Sequence, residues 1–347
     1  MIEFELTRPP PGFVDDPYPF YAELRARDPV HEMEGGVFLS RYEDALAVYR
    51  DPHASSDKKA EFGPKLGGPD NAPLYEHHTT SLVFNDPPLH TRVRRIIMGA
   101  VNQRAIARME PNVLRLVDTL LGEMAEARAV DFIGAFAAQI PIEVIGNLLD
   151  IPRAERGPLR GWSVAILSGL EPRLTPQMFE AGNRAVTEFI AYLKDLVEAR
   201  RKNPGDYDSD VLTRLIQGEK DGEKLTEREL YHQCIFLLNA GHETTTNLIG
   251  NGLWALLNNP AELARLRADP AQFADPERFD AGRKPNRHVA FGQGEHVCVG
   301  MNVARMEGRI AFTRLLERFA RIEPDGAPER DRRIRFRGFR RFPVRVG

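Results

Sequence analysis

A chain of 347 residues, 42% hydrophobic and 28% charged, has enough apolar material to bury a large core, which excludes the disordered and collagen-like classes. Two cysteines exclude a secreted disulfide framework, and no apolar run is long enough to cross a bilayer, so the expected setting is cytoplasmic, away from membranes. The net charge of -3 hides an asymmetry: from Pro270 to Gly347 there are 17 Lys or Arg against 10 Asp or Glu, which reads as a solvated basic surface or a docking face for an acidic partner.

In chain order, MIEFELTRPPPGF has acids and prolines where a signal peptide would have a basic start and an apolar centre. GGVFLS reads as a strand. Residues 57–88, rich in Gly, Pro, Asp and His, read as a long irregular loop of the kind that serves as a binding loop or lid, with Leu82, Val83 and Phe84 as apolar contacts. NVLRLVDTLLGEM and VTEFIAYLKDLV carry apolar residues at three-and-four spacing and predict two amphipathic helices. A longer helix begins at Thr226, where Thr226 and Glu229 form a capping-box pattern, and runs to about Pro260.

The interior of that helix is unusual. Asn239, Gly241, His242, Glu243 and Thr244 to Thr246 interrupt an apolar run, although glycine and β-branched residues weaken helices. Two readings stand: close packing at Gly241 with threonines bonded back to carbonyls, or a local opening that presents an acid and an alcohol to a site. Cys234, in CIFLL, reads as an apolar core residue. The C-terminal RIRFRGFRRFPVRV is basic, but Ile334, Phe336, Phe339 and Phe342 predict a strand with a glycine break, so no nucleic-acid binding is expected there. No repeat or linker divides the chain, which is therefore expected to form one domain over 1–347, mainly α with a small β region.

FGQGEHVCVG, residues 291–300, holds the second cysteine. Gly292 and Gly294 permit backbone shapes closed to other residues, and Gly300 allows close approach. The following VGMNVARMEGRIAFTRLLERF has helical spacing, so Cys298 sits at a helix N-terminus, where free N–H groups and the dipole favour the thiolate. One thiolate without a second Cys or a His at zinc-site spacing argues against structural zinc and fits axial ligation of haem iron.

At this point the sequence resembles the cytochrome P450 haem-thiolate monooxygenases. FGQGEHVCVG matches that family's haem-binding signature at Phe291, Gly292, Gly294, His296, Cys298 and Gly300. AGHETT resembles the oxygen-activating stretch of the family's long helix, which implies a cofactor contact at Gly241 and an acid-alcohol pair at Glu243 and Thr244. HTRVR resembles the motif whose His and Arg bind a haem propionate, here His90 and Arg94, with His296 a further propionate contact. The resemblance implies haem b with Cys298 as axial ligand to the iron, O2 and a small hydrophobic substrate as reactants, and electrons from a separate ferredoxin or flavodoxin-like protein. Arg94, Arg95 and Arg305 would suit an acidic donor.

The sequence departs from the family in one block. The helix bearing Glu-x-x-Arg and the strands after it are absent between Pro270 and the cysteine loop, as in an internal deletion. Glu262 and Arg265 spell Glu-x-x-Arg but precede the gap and read as an exposed i,i+3 pair. Two other readings stand beside the monooxygenase: a haem-binding remnant, carrier or sensor without turnover, and a haem-free helical ligand-binding protein.

Overall fold

The computed structural model describes residues 2–68, 72–207, 210–218, 224–268 and 288–347. The chain opens with α1 (Tyr18–Arg27), a hairpin of β1 (Val30–Met33) and β2 (Gly36–Leu39), and α2 (Tyr42–Arg50). Then come α3 (Lys59–Leu66), α4 (Pro73–Thr80), α5 (Leu89–Ala100), α6 (Gln103–Ala127) and the short strand β3 (Ala129–Asp131). The middle is helical, with α7 (Gln139–Leu148), α8 (Leu159–Ser168), α9 (Pro176–Lys202), α10 (Val211–Gln217), α11 (Glu227–Leu257) and α12 (Pro260–Ala268). After the cysteine loop stand α13 (Met301–Arg318), β4 (Ile322–Pro324), β5 (Glu329–Arg330), β6 (Phe339–Arg341) and β7 (Pro343–Val346).

The helix α11 is the spine, with α4, α7, α8, α9, α13 and β6 packed against it. Its start is the expected capping box: Glu229 N–H donates to Thr226 Oγ1 at 3.2 Å and Thr226 N–H to Glu229 Oε2 at 2.8 Å. The local opening at 239–246 is not observed; α11 is an unbroken α-helix. Two of its threonines are absorbed locally, because Thr244 and Thr246 donate to the carbonyls of Ala240 and His242 at 2.6 and 2.9 Å. Gly241 lies where a Cβ would run into Ile145 of α7, so glycine there permits close helix packing.

The amphipathic helices fold as their spacing requires. Val113, Val117, Leu120, Leu121 and Met124 of α6 are buried, as are Val186, Phe189, Leu193 and Val197 of α9, in one core with Cys234. Phe189 stacks on Trp162 of α8 with centroids 4.8 Å apart.

Two expectations are corrected. Residues 57–88 are not a long irregular loop but contain α3, α4 and a 3-10 turn at Leu82–Phe84. Counting Gly, Pro, Asp and His as breakers misses that Pro73 stands in the first turn of α4, where its absent N–H costs nothing. Phe62, Leu66 and Leu74 are fully buried and fasten the segment to the core. At the C-terminus the strand does not begin at Arg333; residues 333–338 are irregular, and pairing starts at β6. Arg333 is instead drawn inward to Glu243. Strand β7 lies between β3 and β4, antiparallel to both, with Val344 facing Val130 and Pro324. Phe339 and Phe342 pack their rings on Trp254 at 5.6 and 5.7 Å, which seats this edge of the molecule on α11.

Candidate functional site

The cysteine loop is shaped by its glycines. Gly292 and Gly294 have φ of 68° and 67°, the left-handed region, and a Cβ on Gly294 would stand 2.5 Å from the Tyr49 carbonyl oxygen at the end of α2. Cys298 N–H donates to the Phe291 carbonyl at 2.8 Å and Val297 N–H to that of Gly294 at 3.2 Å, which closes the loop on itself. Arg305 of α13 stands over the Phe291 ring at 5.4 Å. Cys298 lies two residues before Gly300, the cap of α13, and is exposed, whereas Cys234 is buried and its thiol is pushed up to about 12.

The Cys298 thiol does not have the lowered pKa that its helix-terminal place predicts. Partial burial among the loop walls raises it, against the pull of the Gly300 N–H and the Arg94 guanidinium. Both opposing groups favour negative charge on sulfur, and a bound cation would add to them.

His90 and Arg94 lie one turn apart on α5 and turn toward this loop. Arg94 donates to the Val297 carbonyl at 2.7 Å. The His90 ring lies 4.0 Å from that of His296, and neither His90 nitrogen has a hydrogen-bond partner although the residue is buried. Burial, then the neighbouring His296 and Arg94, hold His90 down at about 4; burial likewise lowers His296. Two imidazoles and a guanidinium are so collected, and each carries N–H groups of the kind a carboxylate accepts.

Glu243 and Thr244 are adjacent in sequence but face different surroundings. Thr244 is exposed, on the same face as Ala240. Glu243 is buried and ion-paired to Arg333, with Asn247 Nδ2 donating to it at 3.4 Å. On α13, Glu307 is buried and receives the Thr245 hydroxyl at 3.2 Å; burial pushes its carboxyl up to about 8. Sequence reasoning passed over Glu307, although a lone acid among Val303, Met306 and Ile310 on one helical stripe was a usable signal. Arg333 had no such signal, since its partner lies 90 residues away.

The reading of Glu262 and Arg265 as an exposed pair is corrected: Glu262 is buried, because α12 folds back against α11. The side chain of Arg265 and the junction at 269–287 lie outside the described residues.

A flat iron-porphyrin carrying carboxylates fits this donor set. Among the described residues stand one exposed cysteine thiol with N–H and cationic support, an unpartnered histidine beside an arginine, and a central helix that leaves Thr244 exposed and Leu248 45% exposed. Such a combination defines a haem-thiolate protein. The sequence model of the family described as Cytochrome P450 matches residues 166–272 and 263–339, and the chain belongs to the cytochrome P450 family. Haem b with an axial cysteine thiolate is accordingly its cofactor.

Among its relatives, the protein is similar to Cytochrome P450 107B1 of Saccharopolyspora erythraea, at 32% identity over 97% of this chain and 96% of that one. It is also similar to 6-deoxyerythronolide B hydroxylase of the same organism, at 31% identity over 96% of this chain and 97% of the other. Among solved structures it resembles P450BioI in complex with an acyl carrier protein ligated to hexadec-9Z-enoic acid, with a TM-score of 0.86, 26% identity, and coverage of 96% and 100%. The first alignment runs over 402 positions, 55 more than this chain has residues, so at least 55 positions of the relative have no counterpart here. The two family matches share residues 263–272, which locates that interruption beside Pro270.

Proposed function

We propose that this protein is a haem-thiolate monooxygenase acting on an apolar substrate, with electrons from a separate acidic donor. When bound, haem supplies the redox chemistry that puts one oxygen atom of O2 into a C–H bond and releases the other as water. Cys298 would hold the iron through its sulfur, and His90, Arg94 and His296 would hold a propionate. The observation that carries the reading is the Cys298 loop, a left-handed double turn that offers one exposed sulfur with the Gly300 N–H and Arg94 beside it.

The other residues handle protons and contacts. Thr244 donates its hydroxyl hydrogen to Ala240, which leaves its lone pairs free to accept a hydrogen bond on the exposed side of α11. Glu243 stands behind it as the acid that passes protons inward, with Arg333 holding its carboxylate in place. Gly241 keeps α11 close to α7. Exposed Arg95 and Arg305 supply positive charge for the donor. Reversing both charges is expected to slow donor-dependent reduction, more at low salt than at high salt; an unchanged rate would remove this face from the docking proposal.

Relatives and structural neighbours are associated by name with oxygenated hydrophobic molecules, including 6-deoxyerythronolide B, vitamin D3, hexadec-9Z-enoic acid, myristic acid and testosterone. That supports a hydrophobic substrate here. The positions, at least 55 in all, without a counterpart favour one second reading, a haem-binding member without turnover. The experiment is the visible spectrum of the haem-loaded protein, reduced and exposed to carbon monoxide. A thiolate-type red-shifted band with substrate-dependent O2 consumption fits the monooxygenase. The band without consumption fits the second reading, and no haem uptake overturns both.

A further inference from the structure

The N-terminal end of the molecule has a small core of its own. Phe4, Phe13 and Leu24 are buried there, apart from the main core, with Phe38 of β2 and Ile334 of the C-terminal segment packed against them. The Phe4 ring meets those of Phe13 and Phe38 edge-on at 5.2 and 5.3 Å, and that of His31 at 5.9 Å. His31 stands on β1, 6% exposed, and both its ring nitrogens face oxygens. Nδ1 lies 2.8 Å from Asp28 Oδ2, and Nε2 lies 2.9 Å from the carbonyl oxygen of Phe4, 27 residues away in the chain. A second polar tie runs between the same parts, since Glu34 N–H donates to the Glu5 carboxylate at 3.1 Å.

The two oxygens fix the protonation of the ring. A carbonyl and a carboxylate have no hydrogen to give, so each contact is a hydrogen bond only where the ring nitrogen carries the proton. Neutral imidazole has one N–H and would set the lone pair of its other nitrogen against an oxygen. Imidazolium serves both. The charges around the ring agree with this. The Asp28 hydrogen bond raises the pKa of His31 above the usual 6.5, against the opposing effect of burial, and the Phe4 carbonyl and Glu5 add to it. From β2 the ring is faced by Phe38, which has no charge. Nearby cations are engaged with other acids: Arg27 of α1 with Glu23 at 2.7 Å, Arg332 with Asp15 at 3.4 Å, Arg333 with Glu243 and Asp331, and Arg335 with Glu61 at 3.9 Å.

We propose that His31 is a pH-sensitive clasp, whose imidazolium joins the N-terminal segment to the link between α1 and β1 and whose deprotonation in mildly alkaline solution frees that segment. The proton leaves to solvent. The remaining N–H stays on Nδ1 against the charged Asp28, the stronger acceptor, and the Nε2 lone pair then opposes the Phe4 carbonyl. Because the folded value is raised, the stabilisation is complete below pH 6.5 and is lost as pH rises through the folded value. Ile334, which shares this core, adjoins Arg333, the partner of Glu243, so the clasp also braces the segment that holds that pair. It lies outside the haem site and stands whether or not the protein turns over.

The test is chymotrypsin cleavage of the full chain after Phe4 and Phe13, both 2% exposed and therefore cut only once the segment opens. Rates are followed from pH 6 to 9, each divided by that of a synthetic peptide of residues 2–16 at the same pH. The corrected rate is expected to rise about ten-fold, with a midpoint above pH 6.5, while cleavage after Phe189, buried in α9, stays constant. His31→Gln has no proton to lose, so its segment should be cut rapidly already at pH 6 and show no midpoint. Asp28→Asn keeps an acceptor oxygen but removes the charge, and should move the midpoint down by about half a pH unit or more. A histidine that only fills space would leave it in place. On the unmodified chain, a constant corrected rate, a midpoint below pH 6.5, or a parallel rise after Phe189 overturns the proposal, whether or not the variants fold. A midpoint retained in folded His31→Gln, or unmoved in folded Asp28→Asn, overturns it as well.

Discussion

Gly294 shows how much one residue type can decide at the cysteine loop. Its left-handed φ and the Tyr49 carbonyl, 2.5 Å from where a Cβ would stand, forbid a side chain for two separate reasons. Gly294→Ala is expected to weaken haem binding by ten-fold or more while far-ultraviolet circular dichroism stays unchanged; haem affinity within two-fold of the parent would contradict the geometry. Glu307 makes a different single-residue statement. Its carboxyl is raised to about 8 by burial against an ordinary 4.5, so the native state keeps a proton that the unfolded chain gives up. That contribution is present below pH 4.5 and is lost as pH rises through 8. Glu307→Gln has no proton to lose and should gain stability over the parent between pH 5 and 8 by roughly 1.4 kcal/mol per pH unit, read by urea unfolding. A difference that does not change with pH would show that Glu307 is not held protonated.

Between elements, the α4–α11 contact should respond to acid. His77 lies well below its usual value, His78 is lowered to about 3 and His232 to about 4, each chiefly by burial, against 6.5 for the free group. Glu76 pulls His232 back up, while Arg228, Lys65 and Arg335 repel the protonated rings. Groups with depressed values bind protons more readily in the unfolded chain, so their stabilisation is complete above pH 6.5 and is lost as pH falls toward 4 and 3. Unfolding free energy is expected to drop between pH 6.5 and 5, above the range where most carboxylates titrate, and His78→Phe should flatten that slope. An equal slope in the variant would place the acid sensitivity elsewhere. The same contact illustrates a limit of reading elements one at a time. Residues 57–88 look like loop because their polar residues have no visible partner in sequence, whereas Gln233 and Asn239, more than 150 residues away, supply one.

At the scale of the whole molecule, the β1–β2 hairpin and α2 leave apolar residues exposed. Val30 and Val37 of the β1–β2 hairpin and Tyr42, Val48 and Tyr49 of α2 are all 42–54% exposed, and Tyr49 adjoins the cysteine loop through Gly294. Exposed apolar residues are a cost that further chain could relieve. Inserting the corresponding block of the 32% identical relative at the interruption is expected to raise the melting temperature and slow haem loss. If neither changed, the shortened chain would be shown to hold its cofactor loop unaided.

Sequence alone determined the amphipathic helices α6, α9 and α13, the capped start of α11, the core place of Cys234 and the unusual cysteine loop. Each depends on periodicity, capping or glycine conformation, which act over a few residues and are therefore written locally. Only tertiary structure decided that Glu243 turns inward to Arg333 while Thr244 faces out, that Glu262 is buried, and that histidines from α4 and α11 meet in the core. Those outcomes depend on which distant group arrives to desolvate or pair a side chain, and the cost of burying charge is set by that arrival rather than by the residue's neighbours in the chain.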